Sequence, residues 1–436
     1  MREPLHRLSA VKLAQLITAG EASPETVTRS FIDAIHERER DVQSFAWFDA
    51  DRAIAAAREL HLVSRRGPLH GLPVAVKDNI ETADIATSYG SSIYTGHRPN
   101  ADAACVAAMK DAGAYVLGKT VCAELANFTP GPTRNPHSLA HTPGGSSSGS
   151  AAAVAAHFAP LALGTQTAGS VIRPAAFCGV VGYKPSPRLI PRSGVKPNSD
   201  TLDEVGLFAR SVEDAAFAAS VLAGKPGWKD LPAQSVRMNK SPAIGWVATS
   251  QRAAAAPSML ESLERAGLRL LQKGARRAEI VWPRVFDGLF DAQKTVQSFE
   301  TARALAPEFI YRRQQLSARL VALIEEGRAI GAHDYVMAMQ LGRACVAAID
   351  SLFAEADVLL TPSAPGGAPA GLSSTGDPVC NRPWQLLGCP MVSLPVPASL
   401  GQAEGGLPLG ITVVARPGDD AKMFSAAAWI EAHWEN

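Results

Sequence analysis

The segment Gly164-Thr165-Gln166-Thr167-Ala168-Gly169-Ser170-Val171-Ile172-Arg173-Pro174 decides how this 436-residue chain is read. A short apolar run at 161–163 leads into it, and Pro174 is tolerated in the first turn of a helix that follows. A strand that turns through a glycine into a helix start gathers consecutive backbone N–H groups around one point, here at Ser170. That is the recipe for an oxyanion hole beside a nucleophile.

Outward from that turn, further strand-like runs lie at 72–76, 115–117, 244–247 and 358–360, with short strands again near 391–396 and 409–414. Ala-rich helical stretches at 103–112, 150–158 and 211–223 separate them. Such alternation predicts an α/β protein, a sheet with helices on its faces. The first 65 residues read as two edge helices. Ser9 caps one that closes near Gly20, and Ser23-Pro24-Glu25 supplies a cap, a first-turn proline and an early carboxylate for the next. Residues 66–224 form the core half. The stretch 225–242 reads as loop, and 243–436 completes the sheet around a mostly helical region at 255–355.

Two more segments carry chemistry. Gly71-Leu-Pro-Val-Ala-Val-Lys77-Asp78-Asn79 delivers a lysine at the end of an apolar strand. Pro143-Gly144-Gly145-Ser146-Ser147-Ser148-Gly149-Ser150 precedes an alanine-rich helix. Taken singly, a strand-end lysine snorkels to water and a Gly/Ser run is a flexible loop. A buried lysine behaves differently, because desolvation lowers its pKa and makes the neutral amine available as a base.

Composition narrows the field. Lys plus Arg is 42 against 41 for Asp plus Glu, so neither a nucleic-acid coat nor a polybasic membrane anchor is expected. A hydrophobic share of 47% supports a sizeable core. The six cysteines (105, 122, 178, 345, 380, 389) lack CxxC spacing, so neither a zinc site nor a disulfide framework is indicated. No run of about 18 apolar residues suggests a membrane span. No apolar leader core is visible near the start, and a cytoplasmic location is the expectation. Gly113 to Thr120 matches GxxxxGK[ST], yet its middle four residues are an apolar strand after a helix, the wrong order for a phosphate cradle.

Together, in this order, the three segments resemble the amidase signature family of serine hydrolases. Further matches are Gly118-Lys119-Thr120 with Glu124, Asn135-Pro136, 179–185, Asp203-Glu-Val-Gly206 running to Asp214, 388–395 and 406–410. The resemblance implies a central mixed β-sheet covered by helices on both faces in a single large domain. It implies a Ser–cis-Ser–Lys triad with Ser170 as nucleophile, Ser146 as the bridging serine after a cis peptide, and Lys77 as base. The backbone amides of Thr167, Ala168, Gly169 and Ser170 would form the oxyanion hole, and no metal or cofactor is required. The implied activity is hydrolysis of carbon–nitrogen bonds in small amides through an acyl-enzyme, with reach to carbamates (urethanes) and esters. The enzyme would act as a monomer or homodimer on a small molecule. The alternative is the A subunit of a tRNA-dependent amidotransferase, working in a complex. Other classes are a nucleotide-binding protein and a scaffold with a dead site.

This chain departs from the commonest family pattern in three places. Gln166 stands where Asp is usual, Ala168 where glycine is usual, and Arg173 follows the nucleophile by three residues instead of two. The Ser-Val-Ile-Arg order resembles the malonamidase-type branch. Gln166 and Arg173 are accordingly candidate substrate contacts, with Arg173 either meeting a substrate carboxylate or sitting in a structural ion pair.

Overall fold

The computed structural model describes residues 3–64, 67–237, 241–247 and 252–434. Eleven strands form one mixed sheet: β1 Phe45–Phe48, β2 Pro73–Lys77, β3 Tyr115–Thr120, β4 Leu161–Gln166, β5 Val181–Lys184, β6 Glu204–Ala209, β7 Ala243–Trp246, β8 Arg276–Arg277, β9 Val358–Pro362, β10 Met391–Pro395 and β11 Gly410–Val414. Their spatial order is β1-β3-β2-β4-β6-β5-β10-β11-β9-β7-β8.

The central strands are buried along their whole length, which is why their sequences run apolar without a polar face. Alternation sorts them by side. Val74, Val76, Val116, Leu161, Leu163 and Leu207 point into one core with helices Ala10–Thr18, Ala104–Asp111, Val212–Leu222 and Asp420–Trp434. Ala75, Leu117, Ala162 and Phe208 point into the other, against helices Ala50–Leu62 and Ser148–Ala155. One domain therefore has a helix layer on each face.

The parallel trio β3-β2-β4 matters most for function. Val74, Ala75 and Val76 lie opposite Leu161, Ala162 and Leu163, so Lys77 emerges beside the end of β4. In open α/β sheets that end of a parallel strand is where ligands bind. The long helical stretch between β8 and β9 hangs over the same end. Its helix Leu289–Ala304 buries Gln293, Gln297 and Glu300.

Several expectations meet the structure directly. Ser9 accepts from the Lys12 amide at 3.1 Å and Ser23 from the Thr26 amide at 3.0 Å, each capping its helix. The N-terminal reading needs a correction, because Phe45–Phe48 is an edge strand antiparallel to β3. Four residues interrupted by a bulge are too short to stand out from flanking helices. The 225–242 stretch is also not simply loop. Pro226–Asp230 makes a 3-10 turn and Leu231–Arg237 a helix, which docks on the last helix through Ser235 Oγ to the Ser425 carbonyl at 2.7 Å. Both prolines sit in first turns, where they do no harm. Residues 238–240 of that stretch lie outside the described residues.

The phosphate-loop pattern dissolves into secondary structure. Gly113, at φ +92°, ends a helix, and Tyr115–Thr120 is a fully buried strand. Lys119 hydrogen-bonds the Ile80 carbonyl and Thr87 Oγ1, with Asp78 at 3.6 Å. It ties the sheet to the loop after Lys77.

The Gly/Ser run is equally ordered: Ser146, Ser147, Ser148 and Ser150 are all buried. Gly149 shows why it cannot be a generic linker. A Cβ there would lie 2.1 Å from the Ser44 carbonyl oxygen and 2.5 Å from the Val121 nitrogen, both backbone atoms that cannot swing aside. Gly149→Ala is expected to destabilise the protein by about 3 kcal/mol, read as a lowered urea midpoint at unchanged m-value. An unaltered midpoint would show that the helix can slide outward.

Candidate functional site

Lys77 is fully buried at the end of β2. Its Nζ lies 2.8 Å from Ser146 Oγ, 2.7 Å from Thr165 Oγ1 and 3.4 Å from the Thr165 carbonyl oxygen. No carboxylate stands within ion-pair distance of it among the described residues, whereas Lys119 has Asp78. Burial pushes the Lys77 ammonium down to about 8, opposed weakly by Cys122 and Asp203. Lys119 is pushed down to about 8 as well. Geometry separates the two lysines, since of the two only Lys77 touches a serine hydroxyl.

Ser146 follows a cis peptide bond from Gly145 and is buried beside Lys77. Helix Ser148–Ala155 fixes the run from behind. Ser147 Oγ contacts the Thr165 carbonyl at 3.2 Å, and Ser150 Oγ donates to the Leu163 carbonyl at 2.9 Å. The serines are therefore clamped to β4, the strand that leads to Ser170.

Ser170 sits past the end of β4, half-exposed, ahead of helix Ile172–Phe177. Its hydroxyl makes no hydrogen bond among the described residues, to Ser146 or to any other group. The backbone amides of Ala168, Gly169 and Ser170 likewise have no protein acceptor among the described residues. Unpaired amides beside a serine are what a developing oxyanion would need. The turn is held from both sides. Thr167 Oγ1 donates to Asp203 Oδ1 at 2.6 Å, and a Cβ on Gly169 would lie 2.4 Å from Asn381 Oδ1.

The two expected substrate contacts part company. Gln166 is fully buried, and both ends of its amide are used. Its Oε1 accepts from the Val171 and Ile172 amides at 2.9 and 3.0 Å, while Nε2 donates to Gln385 Oε1 at 3.0 Å. The carboxamide does here what a carboxylate would do: it receives the two amides just after Ser170. It shapes the turn, with Oε1 accepting twice and one Nε2 N–H engaged inside a fully buried side chain.

Arg173 is 2% exposed, and its Nη2 donates to the Gly145 carbonyl at 2.7 Å and to Thr375 Oγ1 at 3.2 Å. Nε and Nη1 are buried without a partner, and no carboxylate lies within ion-pair distance among the described residues. Burial draws its pKa down to about 9, with Asp377 opposing. The structural ion pair weighed for Arg173 is thus not what holds it.

A narrow cavity of about 10 Å³, room for about one water, is lined by Ser170, Arg173, Phe128, Asn127, Asn198 and Gln297 among others, with Lys77 and Ser146 outside its wall. A roomier cleft near His141, Pro365 and Glu404 brings Ser138 Oγ to 2.8 Å from His141 Nδ1, but both side chains are part-exposed and no lysine stands among its described lining residues. Chemistry, not volume, locates the site. Sequence reasoning missed Thr165, Asn127 and Asn198. Thr165 could have been found, since it stands just past the residues of β4 that pair with β2; the other two reach the site only through tertiary contacts. Among the described residues no three His, Cys, Asp or Glu side chains gather as metal ligands would, and no helix is long and apolar enough to cross a membrane.

The chain is similar to known proteins along nearly its whole length. The family model described as Amidase matches residues 26–424. The Glutamyl-tRNA(Gln) amidotransferase A subunit of Carboxydothermus hydrogenoformans is 32% identical over 486 aligned positions, covering 99% of this chain and 98% of that protein. Its namesake from Acidothermus cellulolyticus is 46% identical over 230 residues, spanning 50% of this chain and 46% of its own length. Among solved structures, the peptide amidase of Stenotrophomonas maltophilia superposes with a TM-score of 0.83 at 29% identity, covering 99% of this chain and 98% of that one.

The state of Lys77 gives a pH signature. A reaction that uses its neutral amine gains with pH as the ammonium titrates, so kcat/KM is expected to rise about tenfold per pH unit and level off above an apparent pKa near 8. Measurement between about pH 5.5 and 9.5 checks this. A flat profile through neutral pH would mean that Lys77 is not the base.

Proposed function

Because this chain belongs to the amidase signature family, a family of carbon–nitrogen hydrolases, we propose that it cleaves small amides through an acyl-enzyme on Ser170, with Ser146 and Lys77 as proton relay. The observation that carries this reading is the 2.8 Å contact between the buried Lys77 amine and Ser146 Oγ, next to a turn of unpaired amides. Neutral Lys77 accepts the Ser146 proton while Ser146 accepts that of Ser170. The Ser170 oxygen then attacks the substrate carbonyl. Catalytic hydrogen bonds of this kind are often long in the free enzyme and close on the bound substrate. Negative charge on the carbonyl oxygen falls on the amides of Thr167 to Ser170, each such donor being worth about 100-fold to 1000-fold in turnover. The relay returns its proton to the leaving amine. Water then enters by the same route and releases the acid. Carbamates and esters present the same acyl carbon and lie within reach of the same steps.

Arg173 sharpens the substrate reading. A buried guanidinium with two nitrogens, Nε and Nη1, left without a partner in a residue of the cavity wall favours an acyl group that ends in an oxygen acceptor, a carboxylate foremost. A second reading, the A subunit of a tRNA-dependent amidotransferase, is favoured by the 32% identity along nearly the whole chain. The balanced charge of this chain carries no argument against a tRNA-bearing partner. The two readings differ in whether the isolated protein turns over simple amides.

Treatment with a fluorophosphonate, followed by intact mass and peptide mapping, is expected to place one adduct on Ser170. Ser170→Ala should abolish labelling. Ser170→Ala and Lys77→Ala should each lower amide turnover by about 10⁴-fold or more, and Ser146→Ala by somewhat less, since water partly replaces a bridging hydroxyl. Near-normal turnover in either of the first two would overturn the relay. Labelling without turnover of simple amides would favour the complex-bound reading.

A further inference from the structure

Asn127 is buried, and its carboxamide orientation is fixed by its surroundings. Nδ2 donates to the Leu125 carbonyl at 2.8 Å, a contact that an oxygen in its place could not make, and lies 3.4 Å from Asn198 Oδ1. Oδ1 is therefore the free end, and it is buried without a hydrogen-bond partner. An unsatisfied buried acceptor is costly unless a ligand completes it.

The residue is also held rigidly. Leu125 and Ala126 before it both have positive φ, 45° and 59°, a conformation that non-glycine residues adopt only when their surroundings impose it. The Leu125 amide is tied to the Tyr89 carbonyl at 2.9 Å, and Glu124 Oε1 accepts from the Ser317 amide at 3.0 Å. Asn127 lines the same cavity as Ser170 and Arg173. Of the lining residues, Ser170 and Phe128 are half-exposed and the others buried, so the mouth lies at Ser170 and the polar side chains form the deeper wall. The leaving group must depart and be replaced by water while the acyl group stays, which assigns the mouth to the leaving group and the deep wall to the acyl chain.

We propose that Asn127 Oδ1 accepts an N–H of the substrate's acyl portion, so that the cavity selects acyl chains that offer an N–H donor to Asn127 as well as an oxygen acceptor to Arg173. This rests on the reading of Ser170 as the nucleophile that the acyl chain reaches past. A terminal carboxamide or ureido group satisfies both demands at once. An alkyl chain satisfies neither and leaves three buried polar atoms unpaired.

The probes are succinamide and 4-oxopentanamide, which share length, shape and a terminal carbonyl oxygen and differ in one group, NH₂ against CH₃. Calorimetric affinities are measured on the Ser170→Ala protein, where nothing turns over, and ammonia release on the wild type, corrected for the two equivalent ends of succinamide. A preference of about tenfold for succinamide is expected in both readouts, the scale of one buried hydrogen bond. Asn127→Leu in the Ser170→Ala background should bring the affinity ratio to near unity while both probes still bind. Equal affinity for the two probes before that change, or a preference that survives it, overturns the assignment. If succinamide is preferred in binding yet wild-type protein releases no ammonia from either probe, the assignment of Asn127 stands and the hydrolytic reading of Ser170 falls.

Discussion

A lysine amine stripped of water and given hydroxyl groups instead of a carboxylate is the constraint on which the site depends. Lys77 keeps an available proton-accepting state because burial disfavours its charge and no acid restores it. Every neighbouring element serves that condition. The parallel pairing of β2 with β4 puts Thr165 under the amine, the clamped serine run puts Ser146 on its other side, and the buried helix behind that run holds it in place. Lys119 is the instructive contrast. It is equally buried and similarly shifted, yet Asp78, Thr87 and a backbone carbonyl enclose it, so the same residue type on the neighbouring strand does structural duty.

The turn around Ser170 obeys a complementary constraint, that of amides kept unpaired. Backbone N–H groups buried without acceptors are rare, because each costs the desolvation of a polar group. Here the loss is offset by neighbours that hold the turn without using those amides. Gln166 takes the two amides that follow, Asp203 takes the Thr167 hydroxyl, and Asn381 leaves space only for a glycine at 169. The departure from the usual Asp at 166 is therefore conservative for the turn: the carboxamide oxygen accepts the two hydrogen bonds that a carboxylate could take, and one of its two N–H donors goes to Gln385.

Much of this was legible in the chain. Lys77, Ser146 and Ser170 announce themselves because each lies in a local motif whose strand, turn or glycine content has a direct physical reading. The helix caps at Ser9 and Ser23 were readable for the same reason. What escaped was whatever depends on partners far along the chain. Phe45–Phe48 is a strand only because β3 offers an edge to pair with. Val181–Lys184 and Glu204–Ala209 each carry a glycine that weakens the strand signal, and their pairing with each other and with β10 and β4 respectively supplies what propensity lacks. Asn127 does not stand out in sequence, since its interest lies in one oxygen left without a partner. Gln166 misled for the opposite reason: proximity to the nucleophile suggested a ligand contact, and only the satisfaction of both amide ends reveals a brace.

The chain is also divided in a way that bears on how such proteins diversify. The Lys77–Ser146 contact and the amide turn come from residues 77 to 170, built on the middle of the sheet, while part of the cavity wall descends from helix Leu289–Ala304 within a stretch between β8 and β9. β8 is the edge strand and β9 lies two strands in from it, both on the far side of the sheet from β2 and β4, so the stretch takes no part in the pairing of β2 with β4. Part of the cavity wall, Gln297, is thus carried on a different piece of polypeptide from Lys77, Ser146 and Ser170. An exchange of the spliced piece between relatives would transplant a cavity wall onto an intact reaction centre, which makes the edge of this sheet a natural seam for recombination.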